Sequence, residues 1–93
     1  MNEKALDILA GYFDPESADA DWRKSLWNSS TEYRESIRDG WAALLRTRTL
    51  SLMEFYDLTR TDLEYETEDQ VYADIAKAYE HLFGEPAPTY QGS

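Results

Sequence analysis

The sequence predicts an all-α fold, a compact bundle of four or five short helices with a flexible C-terminal tail. Apolar residues recur at steps of three and four along most of the chain, which is helical periodicity. Helix-start signals, a Ser or Thr followed three residues later by Glu or Gln, stand ahead of several of these stretches. No alternating strand pattern closed by a glycine turn is present, and no internal repeat, so helices packed on helices are the expected architecture. Residues 1–84 form a single helical domain in this scheme, and residues 85–93 an extended or disordered tail.

Each element has its own justification. Asn2 is placed to cap a first helix in which Ala5, Leu6, Leu9, Tyr12 and Phe13 share a face with Ile8 at its edge, and Asp14-Pro15 ends it. A short second helix is expected around Trp22 and Leu26, with Ser17 and Asp19 as capping candidates. Ser29 with Glu32 is a capping box for a third helix from Thr31 to Arg46, whose apolar side is Tyr33, Ile37, Trp41, Leu44 and Leu45. Gly40 inside it costs roughly 1 kcal/mol against alanine, which predicts close packing at that turn. Ser51 and Glu54 form a second such box, with Leu50 and Phe55 as a hydrophobic staple, opening a short helix through Leu52, Met53, Phe55, Tyr56 and Leu58. A polar loop from Thr59 to Glu66 follows.

The stretch from Thr67 to Gly84 is the element on which the others are expected to pack. Val71, Ile75, Ala78, Tyr79 and Leu82 make its apolar stripe, Thr67 and Gln70 a capping box, and Gly84 a left-handed stop before Pro86. Glu68 and Asp69 suit the positive end of its dipole. The tail E-P-A-P-T-Y-Q-G-S has no periodicity, and its final Gly-Ser is of a kind that cloning also leaves behind.

A chain of 93 residues without cysteine holds one modest core and neither a disulfide framework nor a thiolate metal site. No apolar run approaches the roughly 18 residues of a membrane span, and the start M-N-E-K-A-L-D lacks a secretion signal, so a cytoplasmic protein is expected. The formal net charge is −10, and it is uneven: net −5 over residues 1–22, +2 over 23–61 and −7 over 62–93. Such a field repels phosphate backbones and attracts basic proteins, so direct nucleic-acid binding is not expected.

The residues of catalysis are not assembled in the sequence. A single histidine, His81, lies in the last turn of the last helix, where it suits the helix end. The run beginning at Asp14 fails as a calcium loop, having Asp19 where glycine and Ser25 where glutamate are required. There is no phosphate-binding glycine loop, Asn28-Ser29-Ser30 is a sequon without a secretion route, and no cofactor or enzyme activity is expected.

Two features point instead to a protein-binding face. In D-L-E-Y-E, Asp62, Glu64 and Glu66 alternate with Leu63 and Tyr65, so an extended segment projects the carboxylates to one side and the apolar side chains to the other. Aromatic residues make up 14% of the chain, more than a small core accommodates. Trp22, Trp41, Phe55, Tyr79 and Phe83 are the expected core, and Tyr65 and Tyr72 flank the acids, either partly exposed as anchors or laid against the domain. The candidate partner-binding set is Asp62, Glu64, Tyr65, Glu66, Glu68, Asp69 and Tyr72, facing a basic protein.

Leu9-Ala10-Gly11-Tyr12-Phe13-Asp14, the stretch Leu50 to Phe55 continuing through Leu58-Thr59, and Glu68 to Gly84 together resemble the small acidic immunity proteins of contact-dependent growth inhibition systems, and more distantly the colicin immunity proteins. The resemblance covers about half the chain. It implies a stoichiometric inhibitor that binds the toxic C-terminal domain of a partner, often a nuclease, at its active site or an adjacent surface. Acidity alone leaves two other partners open: a DNA-binding protein met by a DNA mimic, or a docking partner of a small helical adaptor whose apolar faces carry the energy.

Overall fold

Five α-helices follow one another in the computed structural model, which describes residues 3–17, 20–61 and 63–91. They are α1 (Glu3–Phe13), α2 (Trp22–Trp27), α3 (Thr31–Thr47), α4 (Leu52–Thr59) and α5 (Glu68–Phe83), with a 3-10 turn at Pro15–Ser17 and no strand among the described residues. The all-α bundle of short helices is therefore what the chain forms.

Local chemistry accounts for most helix ends. Ser51 and Glu54 make the reciprocal box: the Ser51 hydroxyl accepts from the Glu54 N–H at 3.1 Å, and the Glu54 carboxylate accepts from the Ser51 N–H at 3.1 Å. That second bond holds the Glu54 carboxyl below the usual glutamate range. Two caps differ from expectation, and one box differs in its second half. Asp21, whose carboxylate accepts from the Lys24 N–H, caps α2 in place of Ser17 or Asp19; Asp19, like Asn2 and the final Gly-Ser, lies outside the described residues. Ser30 rather than Ser29 caps α3, because the Ser29 hydroxyl donates back to the Ser25 carbonyl instead. At α5 Thr67 caps as expected, but Gln70 accepts from the Glu66 N–H, one residue before the box would place it. Helices α3 and α4 run on through Thr47 and Thr59 and stop at Arg48 and Arg60, both left-handed, at φ 49° and 53°. Glycine is the usual residue there, so the sequence carried no signal for these stops.

The core is assembled chiefly by α3 and α5. Helix α5 packs on α2, α3 and α4, whereas α1 packs mainly on α3 and α4, so α3 shares the organising role expected of α5 alone. Leu9, Leu26, Ile37, Trp41, Phe55 and Ile75 are fully buried, one or two from each helix. Rings link end to end through this core: Tyr65 on Phe55, Phe55 on Phe13, Phe13 on Tyr12, Tyr12 on Trp41, Trp41 on Phe83, and Phe83 on Tyr79, with centroids 5.0–6.2 Å apart. Most meet edge to face, the arrangement that ring quadrupoles favour. Met53, expected on the apolar face of α4, is 72% exposed. Trp22, expected in the core, is only half-buried, since the six-residue α2 lies at the rim.

Two glycines earn their place by packing. Gly40 is buried within α3, as its position predicts. Gly11 in α1 faces the Trp22 indole so closely that a Cβ would stand 2.6 Å from Cη2, a contact that no local pattern marks.

Beyond Gly84, left-handed at φ 69°, the tail is extended but fastened. The Ala87 N–H donates to a Glu80 carboxylate oxygen at 3.1 Å, Ala87 packs on the core, and the Gln91 N–H donates to the Arg46 carbonyl at 2.9 Å. The radius of gyration, 12.5 Å, matches the roughly 12 Å of a folded chain this long, so residues 85–91 lie along the domain. Two of the tail's backbone donors find acceptors on α3 and α5.

Candidate functional site

The acidic site expected from the sequence falls at the N-terminal end of α5. The segment leading into it is irregular yet pinned. The Tyr65 N–H donates to the Tyr56 hydroxyl at 2.7 Å, and the Tyr65 hydroxyl donates to Asp74 Oδ2 at 2.8 Å. The Tyr65 ring packs edge-on against Phe55. Burial first, then the hydrogen bond to the Asp74 carboxylate, push the Tyr65 phenol well above its ordinary value.

Around this anchor Glu64, Glu66 and Glu68 are exposed, and among the described residues none of the three has an ion pair. Leu63, expected on the same side of the segment as Tyr65, is 52% exposed. Asp62 lies outside the described residues. Asp69 points to solvent but is paired with the Arg48 guanidinium.

Tyr72 is not an exposed anchor. It is 2% exposed, its hydroxyl donates to the Leu50 carbonyl at 2.6 Å, and it accepts from the Leu50 N–H at 3.0 Å. Of the two alternatives open in the sequence, both rings lie against the domain. The reason is hydrogen-bond supply: the bend at Leu50 leaves a backbone donor and acceptor half-buried, and Tyr72 satisfies both with one hydroxyl. Burial raises the Tyr72 phenol, against a smaller lowering by the Leu50 bond.

Two members of the site had no counterpart in the sequence argument, Arg48 and Tyr90. The Arg48 guanidinium lies over the Tyr72 ring at 5.1 Å and over the Tyr90 ring at 4.7 Å, the latter delivered by the docked tail. A cleft of about 230 Å³ opens beside them, lined by Leu45, Asp69, Ala73, Ala76, Pro88 and Thr89 among others. The Arg48 Nε is buried without a hydrogen-bond partner. A left-handed arginine after α3 reaching a residue 21 positions away has no local signature.

These carboxylates divide by duty. Glu68 and Asp69 lie in the first turn of α5, where they complement the helix dipole, and Asp69 also holds Arg48. Glu64 and Glu66 precede the cap, and their side chains have no bond within the described structure. What such an arrangement can do is electrostatic: hold a concentration of negative charge on a rigid mount, toward a cationic surface. Among the described residues no three His, Cys, Asp or Glu side chains are grouped to hold a metal ion, and no helix is long and apolar enough to cross a membrane. His81 is exposed near the other end of α5.

Set beside protein-family models, curated proteins and solved structures, the chain matches none of them.

Proposed function

We propose that the protein is a bacterial immunity protein that binds and neutralises a basic toxin domain, a nuclease by chemistry, in the cytoplasm of the cell that carries it. The interacting face is the acidic end of α5: Glu64 and Glu66 at its centre, Glu68 and Asp69 beside them, and Leu63 as the exposed apolar contact. Tyr65 and Tyr72 act as the frame behind the carboxylates. One observation supports this above the others: Glu64 and Glu66 cap nothing and pair with nothing, yet stand together on a segment pinned through Tyr65. Like charges held close repel one another, a cost that a cationic partner removes. The resemblance of the Leu9–Asp14, Leu50–Thr59 and Glu68–Gly84 stretches to immunity proteins supplies the kind of partner. The protein then works by stoichiometric capture, with no chemistry of its own.

The test is calorimetry against the C-terminal toxin domain encoded by the neighbouring upstream gene, at low and high salt. Tight binding that weakens as salt rises, with loss of toxicity, is the expected result. Glu64→Lys with Glu66→Lys should slow association by about tenfold while leaving the unfolding free energy within about 0.5 kcal/mol of the parent. Salt-insensitive binding would move the interface off this face. Displacement of a different, DNA-binding partner by duplex DNA would favour the DNA mimic. Absence of binding and of protection would end the immunity proposal.

A further inference from the structure

Beside the opposite end of α5 lies a second charged surface, where four cations and three carboxylates line two depressions around one exposed ring. From Glu68 to Leu82 the helix climbs about 21 Å, and at Leu82 its carbonyl accepts from the Trp27 indole N–H at 2.8 Å. That bond fixes a ring that remains 47% exposed. The Arg34 guanidinium stacks on it at 4.2 Å. Two adjoining depressions share the indole. One, of about 400 Å³, is lined by Asp21, Arg23, Lys24 and Trp27; the other, of about 90 Å³, by Trp27, Arg34, Glu35, Arg38, Phe83 and Glu85.

Four of the chain's nine basic residues are thus gathered around one exposed tryptophan in a protein of net charge −10. The neighbouring acids are mostly engaged already. Asp21 caps α2, and Glu85 and Asp39 pair with Arg38, at 3.6 and 3.4 Å, leaving Glu35 as the exception. Arg23, Lys24 and Arg34 have no ion pair among the described residues.

We infer that this surface docks an extended acidic segment of a protein partner, with a carboxylate held between Arg34 and the Arg23–Lys24 pair and an apolar side chain laid on Trp27. Charge complementarity selects the acid, and the fixed indole supplies the apolar anchor; tryptophan and arginine are the residues that dominate such contacts. A long polyanion such as nucleic acid meets the field of the whole acidic protein. A short segment feels mainly the local cations, because charges farther off than the screening length of about 8 Å at physiological salt count for little. The surface is separate from the acidic end of α5, so it is independent of the toxin proposal and stands or falls without it.

Indole N–H signals of the uniformly 15N-labelled full chain provide the test. The probe is a short synthetic peptide alternating glutamate with leucine, and the control replaces its glutamates with lysine. The expected result is a saturable shift of the Trp27 indole signal with the acidic peptide and none with the control. Binding should weaken by about tenfold in Arg34→Glu and, separately, in Lys24→Glu, the latter at an exposed side chain whose replacement leaves the thermal midpoint unchanged. No Trp27 shift, or undiminished binding in both variants, would overturn the inference. So would concentration-dependent self-association abolished equally by Arg34→Glu and Glu64→Lys, which would make a second copy of the chain the occupant.

Discussion

The two ends of α5 use the same materials, aromatic rings, guanidinium groups and carboxylates, and assemble them in opposite ways. At the N-terminal end Tyr72 is buried and Tyr65 half-buried with both hydroxyls engaged, and the carboxylates of Glu64 and Glu66 are left outside. At the C-terminal end Glu85 is paired and Arg34 is stacked on Trp27, and Trp27, Arg23 and Lys24 are left exposed. Negative charge at the start of a helix and positive charge at its end both suit the dipole, so the sign of each end carries no functional information by itself. The informative groups are those whose charge serves no cap, no pair and no packing contact. By that standard Glu64 and Glu66 qualify at one end and Arg23 and Lys24 at the other, beside an indole on which Arg34 is stacked.

The contrast can be broken by mutation, and the largest effect is expected where a ring is frame rather than surface. Tyr72→Ala should cost about 3–5 kcal/mol in urea unfolding, the range for deleting a buried aromatic, because it also leaves the Leu50 N–H and carbonyl unpaired. A loss under about 1 kcal/mol would return Tyr72 to the list of surface anchors. Gly11→Ala probes the seat of α2, the helix that presents Trp27. Its methyl meets the rigid Trp22 indole, and overpacking of about 1–3 kcal/mol should outweigh the roughly 1 kcal/mol that alanine gains in a helix. A stabilised variant would show that α2 is free to shift. Trp27→Phe keeps an exposed ring and removes the bond to Leu82, so it should cost only about 1 kcal/mol; a much larger loss would make Trp27 frame as well.

A pH titration sharpens the same comparison with the smallest effect. The Tyr65 and Tyr72 phenols are raised above their ordinary 10.0, and so are Tyr12 and Tyr79, chiefly by burial. The folded state therefore keeps these protons where the unfolded chain loses them. The stabilisation is complete below pH 10 and is lost as pH rises through the folded-state values. Tyr65→Phe should flatten this alkaline decline, as read from unfolding midpoints at about pH 9 and pH 11. An unchanged slope would mean that neither burial nor the Asp74 bond holds the proton.

What the sequence determined was local. The stripe of Val71, Ile75, Ala78, Tyr79 and Leu82, the Ser51–Glu54 box, the Thr67 cap and the Gly84 stop all depend on residues within about a turn of one another, and each stands in the structure where its spacing put it. The acid run Glu64–Glu66 was legible for the same reason, since charge and alternation need no fold to be read. Tertiary structure alone decided which side chains remained available. Tyr72 meets Leu50 across 22 residues, Arg48 meets Asp69 across 21, and Trp27 meets Leu82 across 55. The tail settles on α3 and α5 because unpaired backbone donors there find distant acceptors. A tyrosine beside carboxylates looks the same in sequence whether its hydroxyl meets solvent or a buried carbonyl. Only the fold brings that carbonyl within reach, and the cost of leaving a half-buried backbone group unpaired then draws the ring inward.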